Sequence, residues 1–207
     1  MKKMIISPHV DDEVLGCGGI LDDDTFVLHC GLAENQQHGH QTLTRTERVE
    51  EFYKVADEIG FSFHLLHHPV NRYDVSDLIP DIELYVNKIK PDKIYIPHPS
   101  YNQDHRAVYE ACLTALRPHD INFFVKKILI YEQPHVVFWS HNYKTFHPNH
   151  FAKIDIDKKI KLYSMIETQV RSFRSPEHIR AIAAIRGGQS NCSYAEAFEI
   201  IRWIDEK

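Results

Sequence analysis

The chain has 207 residues, 29 acidic against 24 basic, a formal net charge of −5 and 43% hydrophobic residues, which suffices for one domain with its own core. The acidic balance argues against nucleic acid as the main partner, since that favours a basic face, and no apolar run is long enough for a transmembrane segment. Met1-Lys2-Lys3 is followed only by Met4-Ile5-Ile6 before Ser7 and Pro8, too short for the apolar stretch of a signal peptide, so the expected location is cytoplasmic.

Strand and helix patterns alternate along the chain. Lys3 to Ser7 reads as an inner strand and Glu13 to about Leu21 as a helix, whose Gly16, Gly18 and Gly19 lower its propensity but permit close backbone approach. That glycine spacing is neither a P-loop nor a dinucleotide fingerprint. Thr25 to Cys30 is a second strand, followed by a polar loop from Gly31 to Gln41 in which His38 and His40 read as solvated. Val49, Phe52, Tyr53, Ala56 and Ile59 recur at helical spacing, and Gly60 stops that helix. Phe61 to Leu66 is a third strand, and Leu78, Ile79, Ile82, Val86 and Ile89 mark a helix that ends before Pro91. Lys93 to Pro97 is a fourth strand, Asp104 to Leu116 a helix, and Lys127 to Glu132 a further strand. Pro134 to His150, with Phe138, Trp139, Tyr143 and Phe146, has no period and reads as a long loop, either a wall for a sugar ring or aromatics packed under the surface. A helix follows from Asp157, capped by Asp155 or Asp157, and another opens at Pro176 and is broken by Gly187-Gly188. Ala197, Phe198, Ile201 and Ile204 fit a last amphipathic helix. The alternation predicts an α/β fold, a Rossmann-like three-layer sandwich with a mostly parallel sheet, in a single domain over residues 1–207. Four cysteines without a paired metal spacing read as reduced, mostly buried thiols.

The chemistry gathers in two stretches. Ser7-Pro8-His9-Val10-Asp11-Asp12-Glu13 places an imidazole and carboxylates in one turn after the first strand, and His98-Pro99-Ser100-Tyr101-Asn102-Gln103-Asp104-His105 does the same after the fourth. In open α/β sheets ligands bind beyond the carboxyl ends of the strands. A catalytic zinc takes histidine nitrogen and carboxylate oxygen from three protein ligands and keeps a position open, which predicts His9, Asp12 and His105 as ligands of one zinc per chain. Taken singly, each residue has a plainer reading: His9 packs, Asp11 and Asp12 complement a helix N-terminus, and Asp104 is an N-cap. Those readings leave the gathering of two histidines and three carboxylates at two strand ends without a cause.

Pro8-His9-Val10-Asp11-Asp12-Glu13 and Asp104-His105-Arg106-Ala107-Val108 resemble the two signature motifs of the LmbE-like, or PIG-L, zinc-dependent de-N-acetylases. A fainter likeness runs through Arg48, Glu51, Ala56, Gly60, Lys159, Gln169 and Ala195-Glu196-Ala197-Phe198. The resemblance implies a zinc-dependent hydrolase that removes an acetyl group from a small-molecule conjugate of N-acetylglucosamine type; a homo-oligomer is compatible with it. It implies the same three ligands, Asp11 as general base, Asp104 in the catalytic set, and Arg48 reaching substrate, where the residues alone give only a surface ion pair with Glu51. The family's histidine three residues before the second-motif ligand is here Asn102, which can donate a hydrogen bond to an oxyanion but cannot deliver a proton. The acid is then His98, Tyr101 or re-protonated Asp11. Two rival readings use the same residues: a dinuclear metal phosphoesterase with Asp11, Asp12, Asp104 and His105 as ligands, and a non-catalytic carbohydrate-binding protein with a closed structural metal.

Overall fold

The first strand, Lys3–His9 (β1), has no face left for water: Met4 and Ile6 enter one core cluster and Ile5 the other. Successive strand side chains leave on opposite faces, so such a strand needs helices on both sides of its sheet. The computed structural model describes residues 1–32, 36–37, 40–41, 45–139 and 144–205. After β1 come α1 (Asp12–Cys17), β2 (Thr25–Gly31), the short ribbon β3 (Gln36–Gln37) and β4 (His40–Gln41), α2 (Arg45–Ile59), β5 (Ser62–Leu65), α3 (Val75–Ile89), β6 (Lys93–Pro97) and α4 (Gln103–Ala115). The second half adds β7 (Lys127–Tyr131), α5 (Pro134–Phe138), β8 (His150–Lys153), α6 (Ile156–Ser164), two 3-10 turns at Glu167–Gln169 and Ser172–Arg174, α7 (Pro176–Gln189) and β9 (Ala195–Trp203).

The seven-stranded sheet has the order β5-β2-β1-β6-β7-β9-β8. The first five strands are parallel, and β9 and β8 extend the sheet antiparallel. Residues of α3 and α4 pack on one face, and residues of α1, α2, α6 and α7 on the other, which makes the three layers expected of the alternation. The chain leaves β1 toward β2 on one side and later returns to β6 on the other, so β1 and β6 flank the switch point at which α/β sheets bind ligands.

Four expectations need correction. The last amphipathic helix is the strand β9, bonded to both β7 and β8. Its register shifts opposite Ile128 and Leu129, which breaks the two-residue period, and the buried Glu196 interrupts its apolar run, so Phe198, Ile201 and Ile204 imitate helical spacing. Gly187 and Gly188 lie inside α7 instead of ending it; a Cβ at Gly187 meets the carbonyl oxygens of Ser193 and Cys192 at 2.5 and 2.6 Å, so this glycine serves close packing. The stretch read as a loop from Pro134 opens with α5, while Tyr143 lies outside the described residues. The loop after β2 contains the β3–β4 ribbon, and His38 lies outside the described residues. Gly60 does end α2, with φ of 81°, and Cys17, Cys30, Cys112 and Cys192 are free thiols.

α1 sits closer to the sheet than a side chain allows. A Cβ on Gly16 falls 2.2 Å from Cδ2 of Tyr131, a fully buried ring whose hydroxyl donates to Ile6 O at 2.9 Å. Gly16→Ala is expected to lower stability by about 1–3 kcal/mol through overpacking, despite its better helix propensity. An unchanged denaturation midpoint would show that α1 shifts without cost.

Candidate active site

β1 and β6 end side by side, so the turns that follow them meet. The first turn is strained. Asp11 enters α1 with φ 149° and ψ −23°, a conformation that favours glycine. Its surroundings determine it: Glu13 Oε2 accepts from Asp11 N at 3.1 Å and from Ser7 Oγ at 3.2 Å, Asp11 O accepts from Val14 N and Leu15 N, and Arg48 donates to Val10 O. Burial and the neighbouring Asp11 carboxylate raise the pKa of Glu13 to about 8.

In the second turn Asn102, not Asp104, is the N-cap of α4, its Oδ1 accepting from Asp104 N at 2.9 Å. The Asp104 carboxylate is therefore available elsewhere. Its Oδ2 accepts from His9 Nε2 at 2.9 Å and from Asn71 N at 2.7 Å.

With Nε2–H committed to Asp104, a neutral His9 turns its Nδ1 lone pair toward Asp12 Oδ2, 3.3 Å away, and His105 Nε2 approaches the same oxygen at 3.2 Å. One ligand atom from each of His9, Asp12 and His105 lies within 4.8 Å of the others. Lone pairs that face one another across such distances call for a cation between them, and two imidazole nitrogens with a carboxylate oxygen suit zinc. The carboxylate behind His9 is the partner that commonly fixes the ring and tautomer of a metal-bound histidine. Protonation is the alternative: burial opposes charge on His9, but hydrogen bonds to Asp104 and Asp12 outweigh it and raise its pKa to about 9. For Asp12, burial is more than offset by His105 and His9, and its pKa falls well below the usual carboxylate range.

A cavity of about 410 Å³ opens over this cluster, lined by His9, Asp11, Asp12 and His105 together with Asn71, Tyr101, Asn102, His135, Gln169, Arg171, Phe173 and Arg174. Burial raises the pKa of Asp11, while Arg174, whose nitrogen stands 3.3 Å from Asp11 Oδ2, opposes the shift. Asp104 stays behind His9, outside the cavity lining. Arg48 is fully buried and does not reach the cavity either. Its expected surface pair with Glu51 is a buried bracket, in which Glu51 lies 3.6 Å from Arg48 and accepts from both the amide and the hydroxyl of Thr168. His98 is also sealed off, edge-on to Phe146 at 5.5 Å, and burial lowers its pKa to about 4, which leaves it uncharged near neutrality.

Sequence reasoning missed His135, Arg174 and Glu13. His135 belongs to α5, in the stretch that carried no period, and its ring stands edge-on to His105 at 5.0 Å. Burial lowers its pKa to about 3. Arg174 comes from an irregular segment far along the chain, and its only sequence signal is the three-residue spacing from Arg171. Glu13 stands in the first motif, where an acidic residue at a helix start carries no local sign that it accepts from Asp11 N and Ser7 Oγ.

Strain at Asp11 can be separated from loss of its carboxylate. Asp11→Gly and Asp11→Ala both remove the carboxylate, but only glycine relieves the backbone, so Asp11→Gly should be the more stable of the two by about 1 kcal/mol in denaturant titration. An alanine variant as stable as the glycine variant would remove strain from the account.

Residues 4–116 match the family model described as PIG-L, GlcNAc-PI de-N-acetylase. No curated protein sequence matches the chain. Among solved structures, a conserved protein from Thermus thermophilus aligns with TM-score 0.81 and 21% identity, over 100% of this chain and 97% of that one. The N,N'-diacetylchitobiose deacetylase of Pyrococcus horikoshii aligns with TM-score 0.77 and 19% identity, over 97% and 84%. A 4-carboxy-2-hydroxymuconate hydratase of Pseudomonas putida aligns with TM-score 0.74 and 19% identity, over 100% and 99%. At these identities the three structures share the fold, whereas the family model spans more than half of the chain and both motif stretches. The chain belongs to the PIG-L, or LmbE-like, family.

Proposed function

We propose that this chain is a zinc-dependent hydrolase that removes the acetyl group from an N-acetylated amino sugar conjugate of N-acetylglucosamine type. His9, Asp12 and His105 hold one zinc, and the chain works as a single domain over residues 1–207 in the cytoplasm. The observation that carries this reading is the convergence of these three donors at one side of an open cavity, with Asp11 beside them. Family membership supports it, as does the shared fold of the Pyrococcus horikoshii deacetylase.

When bound, zinc supplies Lewis-acid polarisation of an amide carbonyl and acidifies water. Asp11 lines the cavity but lies outside the ligand set, the placement a general base needs to take a proton from the attacking water. Arg174 helps to keep that carboxylate charged against its burial. The Asn102 carbonyl is occupied by the α4 cap, so its Nδ2 is the group left to meet the developing oxyanion. With His98 buried away from the cavity, the candidates that line it are Asp11 and Tyr101; Asp11, having taken the proton from water, returns it to the nitrogen of the breaking C–N bond, giving acetate and a free amine.

Both earlier rivals fit less well. A dinuclear phosphoesterase needs more ligands, and among the described residues the cluster with metal-binding geometry is His9, Asp12 and His105, with Asp104 turned behind His9. A closed structural metal does not suit donors that face a cavity.

Acetate release across a panel of N-acetylated sugar conjugates with zinc supplied tests the reading, and no release from any member would sink it. Chelation should abolish the activity, and His9→Ala, Asp12→Ala and His105→Ala should each lower the zinc content. Asp11→Asn should keep zinc yet slow turnover by about a hundredfold. Full zinc in all three ligand variants, or a near-normal rate in Asp11→Asn, contradicts the assigned roles.

The oxyanion and acid assignments have their own test. Asn102→Ser, which keeps an oxygen able to cap α4 but removes the amide Nδ2, should slow turnover about a hundredfold, the effect of removing one oxyanion donor, without moving the pH profile. His98→Gln should leave both limbs of that profile in place; a displaced alkaline limb would restore His98 as the acid.

A further inference from the structure

One wall of the cavity is built from the segment that carries the two 3-10 turns. Arg171 precedes the second turn, Ser172–Arg174, and Arg174 N donates to Arg171 O at 3.1 Å. Arg171 and Arg174 both line the cavity. The segment is braced from within. The fully buried Tyr163 points its hydroxyl at the carbonyl oxygens of Gln169 and Arg174, each at 2.9 Å, and Gln169 Oε1 accepts from Arg174 at 2.8 Å.

The charge on this wall is not balanced by the protein. The acidic residues that line the cavity are Asp11 and Asp12. Asp12 is engaged by His9 and His105, and Asp11 is faced by Arg174. Among the described residues no hydrogen bond or ion pair engages the Arg171 guanidinium, and Nε of Arg174 is buried without a partner. Two guanidinium groups on a braced backbone, with donors to spare, match the tetrahedral oxygens of a phosphoryl group, which arginine binds through paired, charge-assisted hydrogen bonds.

Resting on the hydrolase reading above, we infer that Arg171 and Arg174 form a subsite for a phosphoryl group carried by the amino sugar, so that the substrate is a phosphate-linked sugar conjugate and not a neutral glycoside. The bracing by Tyr163 keeps the subsite organised before the ligand arrives, which limits the ordering cost of binding.

The test uses zinc-loaded protein and glucosamine with or without an anomeric phosphate, ligands that lack an acetyl group and cannot turn over. Calorimetry should give the phosphorylated sugar an affinity at least about tenfold higher, and the advantage should shrink as ionic strength rises. Arg171→Gln should bring the ratio toward one, and Tyr163→Phe should reduce it. Arg180→Gln, which breaks a pair with Asp157 at 2.6 Å on the surface, should preserve it. Equal affinities in the wild type overturn the subsite, and so does a preference that survives Arg171→Gln, because the phosphate then sits on the metal. Nucleotide-linked and lipid-linked phosphorylated glucosamine identify the carrier, and tighter binding of either than of the free sugar supports the subsite. Acetate release is measured in parallel on the N-acetyl forms. Its absence from all of them overturns the hydrolase reading while the binding ratio still decides the subsite.

Discussion

The hydrogen bond from His9 Nε2 to Asp104 Oδ2, 2.9 Å long, joins the end of β1 to the first turn of α4 and sets the geometry of the cluster between them. It fixes which nitrogen of His9 faces Asp12, and hence whether the three donors converge as lone pairs. The bond depends on Asn102. Had Asp104 capped α4 itself, its carboxylate would be turned toward the helix amides; because Asn102 Oδ1 takes the Asp104 amide, the Asp104 side chain can reach His9 and Asn71. The residue at which the chain departs from its family's pattern therefore has a structural task at the site as well as its place in the cavity lining.

The parallel half of the sheet was legible because its strands are short apolar runs between helices with clear stops, such as Gly60 and the helix end before Pro91. His9, Asp12 and His105 were legible as neighbours because both motif stretches follow strands, and the switch point brings those strand ends together. The antiparallel end was not. β9 carries a bulge and a buried glutamate, and each disturbs the alternation by which a strand is read. Arg48 misled in another way: an arginine three residues from a glutamate on a helix is ordinarily solvated, and nothing local reveals that Val10 O and Thr168 wait to receive it. His135 and Arg174 come from segments without periodicity, where sequence offers no face to assign.

The fold does not select the chemistry. A deacetylase and a hydratase share it with this chain at similar TM-scores and equal identity, so function must be argued from the groups that line the cavity. Those fall into two sets here. The floor is built from the ends of regular strands and the starts of helices, and its donors are held by backbone geometry. The wall comes from the irregular stretch around Glu167–Gln169 and Ser172–Arg174. Irregular connections can change sequence without disturbing the sheet, so substrate choice can vary there while the floor stays as it is.

A strained turn persists only if the element that follows it cannot relax, and α1 is held at both ends and in its middle. At its start, Arg48 and Glu13 fix the Val10 and Asp11 backbone, and Gln133 Nε2 donates to Asp12 O at 3.0 Å. At its end, Lys159 Nζ donates to Leu15 O at 2.7 Å, and Glu196 Oε1 accepts from both Lys159 and Gly19 N, so a buried ion pair between α6 and β9 meets the last backbone groups of this short helix. Such a pair contributes little net stability once its desolvation is counted, but removing one partner leaves a buried charge uncompensated. Its contribution is positional. By pinning the end of α1 it prevents the helix from sliding away from Tyr131 to relieve Asp11, and the antiparallel strand β9 thereby helps to hold the Asp11 turn in its strained form.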